Sequence, residues 1–240
     1  MRGRMGERRG AVGTVSILGW YGLGNAGDEA ILRVLTATVR HLLPASRLLV
    51  VAEGPAAVRR QYGLPAIPCL PRKRHLPGWA LRLGRTDVLI VGGGGIINDH
   101  GVARYFRTVL ALQLLGRRVV FYAIGADPIH GRARRWLCRT VMNRASLVLA
   151  RDQRSAAILR GLGVQPERLR VGADPGLLLE AAEEAQVEAL WRGEGLDGYG
   201  PGGPLVAVSL RSLTMYREVA GRAAQVQEAV AQALTALVRE

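Results

Sequence analysis

From Thr14 onward, short runs of unbroken apolar residues alternate with longer stretches whose apolar positions recur every three or four residues. Runs such as VLIV and VVFYAI have no polar face, the signature of parallel strands covered on both sides. The pattern predicts strands at Thr14–Leu18, Arg47–Ala52, Asp87–Val91, Arg118–Ile124, Leu147–Ala150 and Leu169–Val171. Between them it predicts helices over about Asp28–Leu43, Pro55–Tyr62, Trp79–Leu83, Ala103–Leu115, Arg132–Arg144 and Gln153–Leu162. A Pro-rich connection, Leu64–Pro77, separates the second and third helices. Such β/α alternation predicts an α/β fold with a doubly wound, mostly parallel, Rossmann-like sheet.

The texture changes after Gly176. A helix over Leu177–Trp191 leads into GEGLDGYGPGGP, residues 193–204, half of them glycine, which reads as a linker. PLVAVSLRS then opens a new strand, and Tyr216–Val238 reads as one long helix. One strand and one helix cannot cover both faces of a sheet. The expected organisation is therefore a basic tail (1–12), a Rossmann-like domain (13–176), a helix and linker (177–204), and the first βα unit of an incomplete second α/β domain (205–240).

Composition narrows the classes. An apolar fraction of 49% is ample for a core. No apolar run reaches the ~18 residues of a membrane helix. Cys69 and Cys138 form no C-x-x-C and are expected to be buried, reduced thiols, which suits a cytoplasmic protein. The net charge of +14 raises the question of a polyanionic partner, but only Lys73 among the 33 basic residues is lysine. The arginines are scattered, and aromatic residues make up 5% of the chain, so no stacking platform for nucleic acid accompanies them. An anionic small molecule explains the basic surface equally well. His41, His75, His100 and His130 have no metal-ligand spacing, and no zinc-protease, serine-hydrolase or P-loop signature occurs. Only His100 lies in a candidate ligand loop.

Ligands of open α/β sheets gather at the carboxyl ends of the strands, and five distinctive segments fall there. GWYGLGNAGDEAIL (19–32) contains Gly22, Gly24 and Gly27 in a G-x-G-x-x-G pattern. VGGGGIINDHG (91–101) sets four consecutive glycines, including Gly93 and Gly94, before Asn98, Asp99 and His100; such a run allows close backbone approach or several positive φ angles. GADP occurs twice, at 125–128 and 172–175, where Asp can cap a helix that Pro opens. ARDQRS (150–155) places Arg151 at a strand end as a candidate anion ligand and Asp152 as a helix cap.

A dinucleotide site would rest pyrophosphate on the first helix N-terminus. Asp28 and Glu29 open that helix and would repel it. Glu53, ending the second strand, stands about where a ribose-binding acid is expected, so the dinucleotide reading stays open at this point.

The ordered set GWYGLGNAGDEAIL, VGGGGIINDHG, AIGADPI, LVLARDQRSAAILRGLGV and VGADPGLLL resembles the polysaccharide pyruvyl transferase family over roughly residues 14–211. The resemblance implies a GT-B-like pair of Rossmann-like domains and transfer of the enolpyruvyl group of phosphoenolpyruvate onto a sugar. The product is a pyruvate ketal in a cell-wall or exopolysaccharide precursor, with release of phosphate and no metal or redox cofactor. It assigns Asn25, Gly27, Asp28 and Glu29 in the first loop, and Gly93, Gly94, Asn98 and Asp99 in the second, to acceptor binding and cleft architecture; Gly22 and His100, in the same loops, are further substrate-binding candidates. Asp28 or Asp99 would orient or deprotonate an acceptor hydroxyl, and Arg211 would grip the phosphate of the donor, with Arg151 as a further candidate anion ligand. The general acid is expected in a histidine motif of the second domain with no counterpart here, so the 240-residue chain is expected to be inactive alone. Expected partners are phosphoenolpyruvate and a glycan or lipid-linked sugar, with peripheral contact at the inner face of the membrane. Two rival readings are a GT-B glycosyltransferase using a nucleotide-sugar and a non-catalytic dinucleotide- or sugar-binding module.

Overall fold

The computed structural model describes residues 13–196, Val208 and 220–239. Contacts divide the chain into two compact units, Met1–Glu180 and Ala181–Glu240. In the first, seven parallel strands form one sheet: β1 (Thr14–Gly19), β2 (Arg47–Ala52), β3 (Ala66–Pro68), β4 (Val88–Gly92), β5 (Arg118–Ile124), β6 (Leu147–Ala150) and β7 (Leu169–Val171). Their spatial order is β3-β2-β1-β4-β5-β6-β7. The chain winds outward from β1 through β2 to β3, then returns to β4 on the other side of β1 and winds outward again. The order therefore reverses between β1 and β4.

The helices are α1 (Ala26–Leu42), α2 (Pro55–Tyr62), α3 (Leu76–Gly84), α4 (Asp99–Leu114), α5 (Arg132–Asn143) and α6 (Gln153–Gly161). They cover two buried clusters. One holds Leu18, Leu89, Val91, Tyr105, Phe106, Phe121 and Met142; the other holds Ile17, Tyr21, Ile31, Leu32, Leu35, Val50 and Val58. Ile17 and Leu18, neighbours on β1, enter different clusters because successive strand side chains point to opposite faces. That is why the strands read as unbroken apolar runs. Cys69 and Cys138 are both buried and free, and burial pushes the Cys138 thiol up to about 12.

Three elements differ from expectation. β3 lies inside the Pro-rich connection, preceded by Pro65 and closed by Pro68, where proline reads as a break in a strand. α4 begins at Asp99, not Ala103, because Asn98 caps it and Gly101 is helical despite its low propensity. The helix expected over Leu177–Trp191 is broken: a 3-10 turn occupies Pro175–Leu178, and α7 runs over Glu184–Gly193. In the second unit α7 and α8 (Ala223–Arg239) are described; the basic tail and most of the expected PLVAVSLRS strand lie outside the described residues.

β5 carries one irregularity. Its register with β6 shifts between Phe121 and Ile124, and Ala123 there has φ 51°, the only non-glycine described with positive φ. The bulge lies just before Gly125, where β5 reaches the sheet edge.

Candidate functional site

The loops after β1 and β4 flank the reversal in strand order, the crevice where open α/β sheets hold ligands. The first loop is closed on itself. Tyr21 is fully buried, and its hydroxyl donates to the Gly92 carbonyl at 2.9 Å, tying the end of β1 to the end of β4. Burial first, and the nearby Asp28 charge second, push that phenol far above its ordinary value, so it stays a donor. Gly22 has φ +80°, and a Cβ there would fall on the Gly54 carbonyl; a Cβ on Gly54 would fall on the Gly22 carbonyl. The two backbones touch, and Gly54 N donates to Tyr21 O at 3.0 Å.

The acids that open α1 are also placed. Glu29 accepts from Gly22 N at 2.7 Å and from the Tyr62 hydroxyl at 2.7 Å. Tyr62 is raised to about 12, by burial and then by its bond to Glu29. Asn25 caps α1, accepting from Gly27 N at 3.1 Å and Asp28 N at 3.4 Å. Asp28, half-buried, faces the second loop: a Cβ on Gly94 would stand 2.5 Å from its Oδ1.

The second loop is laced to β5. Gly93 N donates to Tyr122 O at 2.8 Å, Gly125 N to Gly94 O at 2.8 Å, and Asp127 N to Ile97 O at 2.8 Å. Gly93 and Gly94 have φ +55° and +68°, and a side chain on Gly93 would collide with Ile31 of α1. The glycine run thus turns the chain beneath α1 and brings Asp99 out at the start of α4. Asn98 caps that helix, accepting from Gly101 N at 2.9 Å, and donates to Gly95 O at 2.7 Å. His100 stands edge-on to Trp20 of the first loop, with ring centroids 5.7 Å apart.

Asp99 has a partner that no sequence spacing announced. His130 donates its backbone N–H to Asp99 Oδ1 at 2.9 Å, and its Nδ1 lies 2.9 Å from Oδ2. Arg134, one turn into α5, lies 3.5 Å from Oδ1. Partial burial raises the Asp99 carboxyl, but the two His130 bonds and the Arg134 charge outweigh it and hold the group below its ordinary value. An ionised carboxylate only accepts, so Nδ1 carries a proton, and in the neutral ring Nε2 is then the acceptor. The His130 side chain is 70% exposed. An oriented imidazole therefore meets solvent at the carboxyl end of the sheet.

The remaining candidates separate. Arg151 lies 3.3 Å from Asp152 and 3.6 Å from Asp174, and its guanidinium covers Gly125. Asp152 caps α6 through Ser155 N at 2.6 Å. The two GADP copies diverge. Asp174 accepts from Gly176 N at 2.9 Å and opens a 3-10 turn, whereas Asp127 starts no helix. Asp127 instead continues the ladder to Ile97 and lies 3.6 Å from Arg154. Arg211 lies outside the described residues.

Glu53 is engaged within the fold. Arg104 grips both its oxygens at 2.6 Å, and the Tyr105 hydroxyl donates to it as well. Burial raises the carboxyl, but the Arg104 and Tyr105 bonds outweigh it and hold it below its ordinary value. The acid that stood where a ribose ligand was expected thus links the end of β2 to α4. Among the described residues, no cluster of three or more His, Cys, Asp or Glu could hold a metal, and no helix is long and apolar enough to cross a membrane.

No curated protein matches the chain by sequence. Among solved structures it is similar to Anabaena Alr3699/HepE in complex with UDP, with a TM-score of 0.49 and 12% identity over 77% of this chain and 50% of that one. The same protein with UDP-glucose gives 0.48 at 14% identity, over 76% and 50%. A putative UDP-N-acetylglucosamine 2-epimerase from Listeria monocytogenes gives 0.48 at 15%, over 75% and 51%. The chain spans about half the length of each of these structures. The profile of the family described as polysaccharide pyruvyl transferase runs over residues 25–225, from Asn25 in the first loop through the second glycine loop, both GADP segments and ARDQRS, and the chain belongs to that family.

Proposed function

We propose that this chain carries the acceptor side of a pyruvyl transferase that forms a ketal between the pyruvyl group of phosphoenolpyruvate and a sugar of a polysaccharide precursor. The observation that carries the reading is the Asp99–His130 pair, exposed beside the switch-point crevice in a chain of this family. A sugar hydroxyl is a weak nucleophile and needs a base as it attacks. His130 Nε2 takes that proton, while Asp99 fixes the tautomer and stabilises the imidazolium that forms, the division of labour of an Asp–His pair. Arg134, beside Asp99, limits how far the carboxylate can draw the proton back.

One acceptor hydroxyl bonds to C2 of phosphoenolpyruvate as the methylene carbon gains a proton and becomes methyl. The C2–O bond to phosphate then breaks, and the second hydroxyl closes the ketal. Two hydroxyl protons are lost; one equivalent appears in the methyl group and the other leaves with phosphate or solvent. The proton donor to the methylene is assigned to the second domain, and Arg151 and Arg211 to the phosphate.

Phosphate release from phosphoenolpyruvate, measured on the protein with its complete second domain and an acceptor glycan, tests the reading. Release dependent on both substrates and on His130 is expected. Saturable UDP binding with no response to phosphoenolpyruvate would replace it with the nucleotide-sugar reading.

A further inference from the structure

The longest stretch of one-signed charge lies away from the glycine loops. From Gly54 to Thr86 the chain has seven basic residues, among them Arg72, Lys73, Arg74, Arg82 and Arg85, and no acidic one. All five of these are exposed, and none is in an ion pair among the described residues. Interleaved with them are exposed large apolar side chains: Leu70 at 48%, Leu76 at 50% and Leu81 at 61%. Elsewhere on this unit some arginines are matched by carboxylates, as at Asp87, Asp99, Asp127 and Asp174.

The segment is anchored, not loose. Cys69 N donates to Ala52 O at 3.0 Å, the Trp79 indole donates to Pro68 O at 2.8 Å, and Leu83 is buried. α3 therefore turns Trp79 and Leu83 inward and leaves Leu76, Ala80 and Leu81 with the arginines outside. Ala52 ends β2 and Pro68 ends β3, so the segment departs from the carboxyl edge of the sheet, the edge that carries the glycine loops.

We propose that residues 70–85 are a dock for an anionic lipid bilayer. Leucines exposed between cationic side chains fit the boundary between acyl chains and headgroups, with the arginines at the negative headgroup layer. A polyanion such as nucleic acid matches the charge, but it gives the leucines nothing to bury against, and no aromatic platform is present for bases. Such docking is independent of which reaction the protein performs. If that reaction uses a lipid-linked sugar, docking on this face holds the sheet edge near the membrane.

Flotation of the full chain with vesicles tests it. At an ionic strength of about 0.15 M the chain should bind phosphatidylcholine vesicles containing about 30% phosphatidylglycerol and not bind pure phosphatidylcholine. Neutralising Arg72, Lys73 and Arg74 to Gln together should weaken binding about a hundredfold, at roughly fivefold per charge. Neutralising Arg132, Arg135 and Arg160, equally exposed but elsewhere, should weaken it less than tenfold, roughly. In a Leu81→Trp variant the new fluorophore should shift to the blue on binding vesicles and not on binding duplex DNA. Equal losses in the two triple variants would reduce the effect to net charge and overturn the proposal. So would a Leu81→Trp spectrum unmoved by vesicles, or a shift caused by DNA alone.

Discussion

The loop after β1 and the joined loops after β4 and β5 stand on the same sheet edge and are both rich in glycine, yet they are built for different ends. In the first, the polar groups are bonded to the loop's own backbone and its neighbours: Glu29 holds Gly22 and Tyr62, Asn25 caps its helix, and Tyr21 is buried against Gly92. In the second, the glycines turn the chain so that Asp99 meets His130 at an exposed point. The first loop ties together the ends of β1, β2 and β4. The second presents an oriented Asp–His pair. Glycine-rich sequence alone does not separate the two; what separates them is whether the neighbouring polar atoms face protein or solvent.

The comparison breaks most readily on activity. His130→Ala should lower the proposed transfer by about 10²–10⁴-fold while changing stability by no more than about 0.5 kcal/mol. Phosphate-release kinetics beside a urea melt would check both, and a large loss of stability would make His130 a scaffold residue after all. Asp99→Asn should retain the fold and lower the pH-dependent rate, because the amide no longer selects the Nδ1–H tautomer.

On the closed side the effects should be on stability. Gly22→Ala places a methyl group on the Gly54 carbonyl at a positive φ, and overpacking with backbone strain together should cost about 3 kcal/mol. Gly24→Ala, with φ +77° but open space around it, should cost only about 1 kcal/mol. Equal losses from the two substitutions would show that the backbone contact contributes nothing. Tyr21→Phe leaves a buried carbonyl without its donor and should cost about 1–3 kcal/mol in the same melts.

The smallest expected effect is on acid stability. Glu53 and Asp152 are held below their ordinary values in the fold, Glu53 by Arg104 and Tyr105 against the cost of burial, Asp152 by its bonds from Ser155. Lowered carboxyls stabilise the fold fully above the unfolded carboxylate range, and the contribution is lost as pH falls through their folded values. Thermal midpoints should therefore be level above about pH 5 and fall below it, and Glu53→Gln should flatten that fall.

The long strands and most helices were legible because each is a run of several residues with one periodicity. Arg47–Ala52, Arg118–Ile124, Leu147–Ala150 and Leu169–Val171 fall where the apolar runs place them. β3 was not legible, because Pro65 before it and Pro68 within it read as strand breakers. The candidate site was legible only by halves. Asp99 stood out beside its glycines, but His130 lies 31 residues away and joins it through a bulged strand and an irregular turn. Asp127 and Asp174 occupy identical four-residue strings, and only the second opens a helical turn, because Asp127 N is drawn into a ladder with Ile97 that no local sequence encodes.

The contact between Gly22 and Gly54 has a consequence for how such chains change over time. Each glycine forbids a side chain on the other, so neither position can drift first without disturbing its counterpart, and the pair is locked in a mutual veto. A glycine held by that veto is required by the neighbouring backbone whether or not a ligand approaches it, so counting it toward a nucleotide-binding fingerprint adds a residue that the fold demands in any case.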